Sequence, residues 1–531
     1  MKKINKTVKI AAVLLALICF AAPGAPALTK QAFLAALYDA RVPMGTENTE
    51  AGKAAFMAKH GVITDNPGKL SAHVTRREAL RWCVEALGLS YEAEILSGVG
   101  HNFGFKDIGK LSDFERGCLA AAVTMSPQLF RESQNFNGAQ RISDKDGSEL
   151  LRKFAKACRD GLTLDAESEP LDGLVIKMHR DGVPTETPRW RVYAYGFKDR
   201  DAAVSAQKYF KANGFDMEAI HPLYEWYLRT KAIDDYTQVK RLSSAIKKRG
   251  LRPGVLPSLS NPVTELIPRY WAMLTINPDY WRMVPLIPRN GPRALAPLSR
   301  ITKENGAAAA INAGFFAVTA QDTGYPIGAL KSNGELLNKP YAGRSCLGWN
   351  ENDEFLIGLL DDGALSGATG TGSFGSFNNY NLSDLVAPQD WTLDSANNAN
   401  NTSNSDSGGG WDSMPHVIQA GPLLLDDGEA RRGDEGFGNS IITARHPRSV
   451  VGLTNDGQWF FFVMDGRNGL HSSGATLSEL TDILRQCGAS CALNLDGGGS
   501  TALIVNGRLY NFPSEGKERS VSYGLGVLGR E

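Results

Sequence analysis

Between residues 28 and 165 the apolar positions recur at helical spacing. Ala79, Leu80 and Trp82 follow Thr75-Arg76-Arg77-Glu78, a capping box in which the N-cap hydroxyl and the N3 carboxylate serve each other's backbone N–H. Leu150, Leu151 and Phe154 follow Ser143-Asp144-Lys145-Asp146 in a similar way, so residues 28–165 are expected to form a helical module. The period then changes. Trp190-Arg191-Val192-Tyr193-Ala194-Tyr195 alternates as a half-buried strand does, and residues 201–213 return to helical spacing, with Ala202, Val204, Tyr209 and Phe210 apolar before Gly214. A strand at 224–232 and a helix at 236–249, with Val239, Leu242 and Ile246 on one face and Gly250 as cap, repeat the pattern. They predict a small βαβα, ferredoxin-like module over residues 166–260. The Pro-spaced stretch 251–268 reads as a linker. From Tyr270 onward, short apolar runs at 307–311, 450–453, 459–464 and 503–505 predict a strand-rich, mixed α/β domain over residues 265–531. It is interrupted at 362–411 by a Gly/Ser/Asn-rich insertion too polar for a core. The fold class expected is multidomain α+β.

The first residues carry a different signal. Lys2, Lys3, Lys6 and Lys9 precede an apolar run at 10–22 and the small-x-small site Ala25-Pro26-Ala27, the layout of a signal peptide over residues 1–27. The expectation is an exported protein, periplasmic, envelope-bound or extracellular, with no transmembrane span after cleavage. Lys plus Arg and Asp plus Glu number 57 each, so the net charge is zero and the electrostatic footprint of a nucleic-acid binder is missing. Six cysteines after cleavage are too sparse for a disulfide scaffold, and Cys487 and Cys491 lack the histidines of a zinc site.

Candidate chemistry gathers at strand ends in the last third. Asn494-Leu495-Asp496-Gly497-Gly498-Gly499-Ser500 follows Cys491-Ala492-Leu493, so a carboxamide and a carboxylate two residues apart precede a triple-glycine turn whose amides can approach an anion. The run 460–464 ends in Asp465-Gly466-Arg467, a second carboxylate followed by a guanidinium suited to phosphate. Asn312 follows an alanine-rich strand, Arg445, His446 and Arg448 precede another, and Asn511 and Arg519 lie near the end. Together they describe a pocket of arginines, aspartates and amides for an anionic ligand, because buried arginine without an anionic partner is costly.

These residues also carry resemblances. I-N-A-G-F-F at 311–316, G-x-L at 328–330, A-G-P at 420–422, T-A-R-H-P-R-S at 443–449, M-D-G-R at 464–467, G-A-T-L-S-E-L at 474–480 and N-L-D-G-G-G-S-T at 494–501 stand in the order of the phosphodiester glycosidase family, from Tyr270 to the end. The resemblance implies hydrolysis of the bond between a sugar's anomeric carbon and a phosphate, with a sugar-phosphodiester or phosphoglycan as substrate. Asp496 would be nucleophile or general base, and Asp465 a second carboxylate that activates water or holds Arg467. Asn494 and Asn312 would orient oxygens. Arg445, His446, Arg448, Arg467, Gly497, Gly498, Gly499, Ser500, Asn511 and Arg519 would bind substrate. No cofactor is required, and a divalent metal (Ca or Mg) bridging Asp465 or Asp496 to phosphate is the alternative. Upstream, R-V-Y-A-Y-G-F-K-D-R-D-A-A at 191–203 resembles the sporulation-related repeat, whose relatives bind peptidoglycan glycan strands, although Ala232-Ile233-Asp234 replaces the second unit's G-P-F. Phe105-Lys106-Asp107 with the T-x-x-E helix start resembles the S-layer homology repeat. Both imply wall glycan as a partner.

Overall fold

A computed structural model describes residues 28–41, 47–98, 105–131, 133–184, 186–221, 225–258, 267–318, 323–341, 343–360, 409–431 and 433–530. Residues 1–27, read above as a signal peptide, and nearly all of the 362–411 insertion lie outside the described residues. Among the described residues no helix is long and apolar enough to cross a membrane.

Residues 28–160 form helices Lys30–Ala40, Glu50–Lys59, Arg76–Ala86, Ser90–Leu96, Asp113–Thr124 and Asp144–Asp160. The capping box at Thr75 closes in both directions with Glu78, a second closes between Ser112 and Glu115, and Ser143 caps the last helix. Asp107 receives the backbone N–H groups of Phe136 (2.6 Å) and Asn137 (2.7 Å), which folds the loop before the last helix back onto the module.

The middle module is βαββαβ. Strands Glu218–Ile220, Tyr227–Arg229, Trp190–Tyr195 and Arg252–Pro257 lie side by side in that order, all antiparallel. Helices Arg200–Ala212 and Tyr236–Lys248 cover one face, burying Phe210, Val239, Leu242 and Ile246 against Val192, Ala194 and Leu228. The tandem βαβα expectation is therefore corrected twice. The stretch read as the start of a linker supplies the edge strand Arg252–Pro257, where two prolines suit an edge position, and Glu218–Ile220 is added at the other edge.

The middle module also begins later than residue 166. Thr163–Leu171 and Leu174–Asp181 form a hairpin that belongs to a nine-stranded antiparallel sheet of the C-terminal region, with Leu174–Asp181 paired along its length to Arg269–Ile276. Beyond it the order is Trp459–Met464, Arg448–Thr454, Ala489–Asn494, Leu423–Asp426 and Glu429–Ala430. The run Trp459–Met464 is apolar at every position because both faces are covered. Trp459, Phe461 and Val463 enter the main core, while Phe460, Phe462 and Met464 pack under the helix Leu477–Gln486 with Leu480 and Leu484. Across the main core lies a five-stranded sheet in the order Arg508–Leu509, Leu503–Val505, Ala309–Asn312, Gly524–Gly529, Trp281–Leu286, contributing Ile311, Leu503, Val505, Leu525 and Val527. A third sheet, including Leu330–Ser332, Ser345–Trp349 and His416–Gln419, closes one end.

That main core also contains the helical module: one contiguous set of buried side chains runs from Phe33 and Trp82 through Leu164 and Ile176 to Phe461 and Leu503. Polar contacts tie the helical module to both of the others. Arg508 donates to the carbonyls of Glu94 (3.1 Å) and Ile95 (2.6 Å), and the Trp190 indole N–H donates to the His60 carbonyl at 2.8 Å.

Candidate functional site

Strand ends converge at one place. Ala489–Asn494 runs into Leu495-Asp496 and then the single 3-10 turn Gly498–Ser500, while Asn312 ends the strand Ala309–Asn312 in the facing sheet. Asn312, 1% exposed, donates through Nδ2 to the Asp496 carbonyl at 2.6 Å and accepts from Ser449 Oγ (2.7 Å) and the Ala502 N–H (3.2 Å). The Asp496 N–H donates to the Ala313 carbonyl at 3.0 Å, so the backbone of Asp496 is held on both sides. Asn312 is thus a clamp beneath the turn rather than a group that meets a ligand.

The Ser500 hydroxyl and the Gly497 N–H stand close enough to the Asp496 carboxyl to act on its titration. Burial raises its pKa above the ordinary carboxylate range, against the opposing pull of Ser500, Arg519, Gly497 and Arg467. Two guanidinium groups lie on the glycine turn itself. A Cβ on Gly498, at φ +63°, would stand 3.1 Å from the Arg467 guanidinium, and one on Gly499 would stand 2.2 Å from that of Arg519. Gly497 is fixed by the Pro447 carbonyl, 2.6 Å from where its Cβ would stand, and Gly498 by its positive φ, while the two arginine side chains rest on the turn's backbone. Burial and then the neighbouring Arg519 lower the pKa of Arg467, the expected signature of cations crowded together before an anion arrives. Arg519 also pairs with Glu515 and reaches Ser500 Oγ at 3.4 Å. His446 Nδ1 lies 3.2 Å from Arg467 Nη2. Burial, then Arg467 and Arg448, depress its pKa to about 4, so the ring is neutral, accepts from Arg467 at Nδ1 and carries its proton on Nε2.

Asp496, Arg467, Arg519, His446, Ser500 and the three glycines are thus brought together. The turn's amides are less open than expected, since Gly497 N–H stands close to the Asp496 carboxyl and Gly498 N–H donates to the Pro447 carbonyl at 3.0 Å.

The remaining candidates are placed elsewhere. Asp465 is 1% exposed, and both of its oxygens are engaged: Oδ1 accepts from Asn511 Nδ2 (2.9 Å), and Oδ2 from His471 Nε2 (2.7 Å) and the Phe512 N–H (2.6 Å). It neither holds Arg467 nor faces a ligand; Asn511 is its partner and also binds the Thr501 carbonyl and the Leu503 N–H. Arg448 donates to the carbonyls of Ala475, Ile441 and Ala444, pinning the loop before its strand, and burial lowers its pKa to about 10. Arg445 pairs with Glu479, the N3 residue of the capping box that starts helix Leu477–Gln486. Asn494 donates to the Gly421 carbonyl at 2.8 Å within the sheet.

A metal bridging Asp465 or Asp496 to phosphate does not fit these neighbours. The oxygens of Asp465 face an imidazolium, an amide and a backbone N–H, Asp496 faces a hydroxyl and two arginines, and among the described residues no group of three or more His, Cys, Asp or Glu could hold an ion.

Sequence reasoning passed over Glu515 and a buried ionic chain under the site. His471 lies between Asp465 (2.7 Å) and Glu92 (2.8 Å), and Glu92 pairs with Arg180 Nε at 2.9 Å. All four side chains are at most 2% exposed. The two carboxylates overcome burial and raise the His471 pKa to about 9. The only sequence signal for this chain was His471 six residues after Asp465; Glu92 comes from the helical module.

Comparison with known proteins falls on the same region. Residues 305–528 match the family model described as phosphodiester glycosidase, a span that starts later than Tyr270. The mouse N-acetylglucosamine-1-phosphodiester alpha-N-acetylglucosaminidase is 32% identical over 103 residues, 19% of this chain and 20% of the mouse protein. The bovine protein of that name is 27% identical over 273 residues, 50% of this chain and 44% of its own length. The zebrafish enzyme's catalytic domain, solved in a form auto-inhibited by its pro-peptide, is 17% identical with a TM-score of 0.36, covering 50% of this chain and 78% of that one. The chain spans less than half the length of these curated relatives.

Proposed function

We propose that the protein hydrolyses a sugar-1-phosphodiester, cleaving the bond between the anomeric carbon and the phosphate oxygen. The observation that carries this reading is the raised-pKa carboxyl of Asp496 beside the Arg467–Arg519 pair on the triple-glycine turn, inside the span matched by the family model. The two guanidinium groups suit the non-bridging phosphate oxygens, and holding that charge assists departure of the phosphate as the anomeric carbon becomes oxocarbenium-like. Asp496 attacks that carbon or takes a proton from water. A carboxyl whose pKa burial raises is suited to the second role. With Asp465 withdrawn, Glu515 is the other carboxylate at the turn. Neutral His446 holds Arg467 in place. The natural substrate is proposed to be an envelope or extracellular phosphoglycan and the protein to be exported, on the strength of the N-terminal segment and the wall-type resemblances of the first two modules.

Release of a chromogenic group from sugar-1-phosphodiesters by the full chain tests the reading, with and without chelator. Asp496→Asn should lower kcat by about a hundredfold or more, and Arg467→Ala should raise KM. An absence of turnover on a panel of sugars, together with measurable phosphoglycan binding, would replace the hydrolase with a noncatalytic wall-binding protein.

A further inference from the structure

The face of the middle module's sheet opposite its two helices is aromatic and meets the anion site through Tyr195. Along Trp190–Tyr195 the alternation sends Val192 and Ala194 under the two helices and leaves Tyr193 and Tyr195 on the other side. Tyr193 and Tyr195 stack at 5.8 Å with their planes 7° apart, and the Tyr227 ring lies 5.8 Å from the first and 5.7 Å from the second. Arg252, opposite Tyr195 in the register, places its guanidinium 5.4 Å from that ring, and Arg229 stands opposite Tyr193.

Tyr195 is the joint. It is 3% exposed, its hydroxyl donates to the Glu515 carbonyl at 2.5 Å, and Lys517 lies over its ring at 4.6 Å while pairing with Glu225. Tyr193 and Tyr227 stay half-buried. Contacts then run in one direction: Tyr195 to Glu515, Glu515 to Arg519, Arg519 to Ser500, and Ser500 to Asp496. The arginine that would hold phosphate is thus linked to Asp496 through Ser500 and to the tyrosine face through Glu515.

Two half-buried rings flanked by Arg229 and Arg252 suit a pyranose, whose C–H face packs on an aromatic ring while its hydroxyl rim accepts from guanidinium. Resting on the hydrolase reading, we propose that Tyr193 and Tyr227 form the subsite for the sugar alcohol esterified to the far oxygen of the phosphate. The middle module would then select the half of the diester that departs with the phosphate, rather than the sugar that is released.

Titration calorimetry on the full chain tests this with two probes, a hexose 6-phosphate and inorganic phosphate. Wild type should bind the hexose phosphate the tighter of the two. Tyr227→Ala should weaken the hexose phosphate by about five- to tenfold, the size of one lost ring contact. Inorganic phosphate should stay within about twofold in that variant, which also reports that the anion site is folded. Tyr227→Phe should keep the wild-type preference, and Tyr193→Ala should repeat the Tyr227→Ala result. Equal weakening of both probes, no weakening of either, or no preference in wild type would each overturn the subsite. Turnover of the diester is scored separately: a full chain that cleaves nothing yet shows the tyrosine-dependent preference defeats the hydrolase reading and leaves the subsite standing.

Discussion

The chain Arg180–Glu92–His471–Asp465 makes stability depend on pH in a calculable way. Folded His471 keeps its proton up to about pH 9, whereas in the unfolded chain it is lost near 6.5. The stabilisation is therefore fully present below pH 6.5 and is lost as pH rises through 9. At about 1.36 kcal/mol per pH decade, a rise from 6.5 to about 9 is worth about 3 kcal/mol. Glu92 acts in the opposite sense: its pKa is lowered in spite of burial, chiefly by His471 and Arg180, so its contribution is present above its unfolded value and fades as pH falls through the folded one. Among the other polar neighbours, burial raises the pKa of Glu94 and holds Tyr91 and Tyr270 protonated above the range in which His471 titrates. Urea unfolding of wild type should show a loss of about 3 kcal/mol between pH 6.0 and 9.5. His471→Gln should start lower by about the same amount at pH 6.0 and converge on wild type at pH 9.5. A glutamine variant that keeps the wild-type decline, or a wild type that is flat over this interval, would refute the assignment of a charged His471.

Three further outcomes follow from the site. Asn312→Ala should cost about 1–3 kcal/mol through the acceptors and donors it leaves unpaired, and kcat should fall more than KM changes, which thermal unfolding and steady-state kinetics check together. Gly498→Ala should destabilise by about 1 kcal/mol from its positive φ, and by displacing Arg467 it should raise KM for a phosphodiester more than for an uncharged glycoside. Arg445→Ala, which removes an exposed pair with Glu479, should change stability by less than about 1 kcal/mol and leave KM as it is, in contrast to Arg467→Ala.

What the amino-acid pattern made legible was mostly local. Thr75 and Glu78, or Ser143 and Asp146, are three residues apart, so composition and spacing determine whether they cap a helix. The apolar run 459–464 announced a strand for the same reason, and the structure shows both of its faces covered. Asp496 stood out because three glycines follow it, and those glycines are where the two arginines rest. Asp465, also at a strand end and two residues before an arginine, had the same local look. Its fate is decided by Asn511 and Phe512, 46 and 47 residues away, and by His471. Glu92 lies 379 residues from its partner His471, and the hairpin 163–181 pairs with residue 269 onward across an entire module. Long-range pairing of this kind leaves no periodicity to read.

The nine-stranded sheet also sets an order in time. As the chain is made, Leu174–Asp181 emerges with an edge that must wait for Arg269–Ile276, and that strand in turn waits for Trp459–Met464, some 180 residues later. Throughout that interval a row of unpaired N–H and C=O groups stands beside Ile176, Met178, Ala272 and Leu274, side chains that end fully buried. The newborn molecule is thus a half-built sheet with an adhesive margin, and whatever ferries or shields the growing chain has to cover it until the last third arrives.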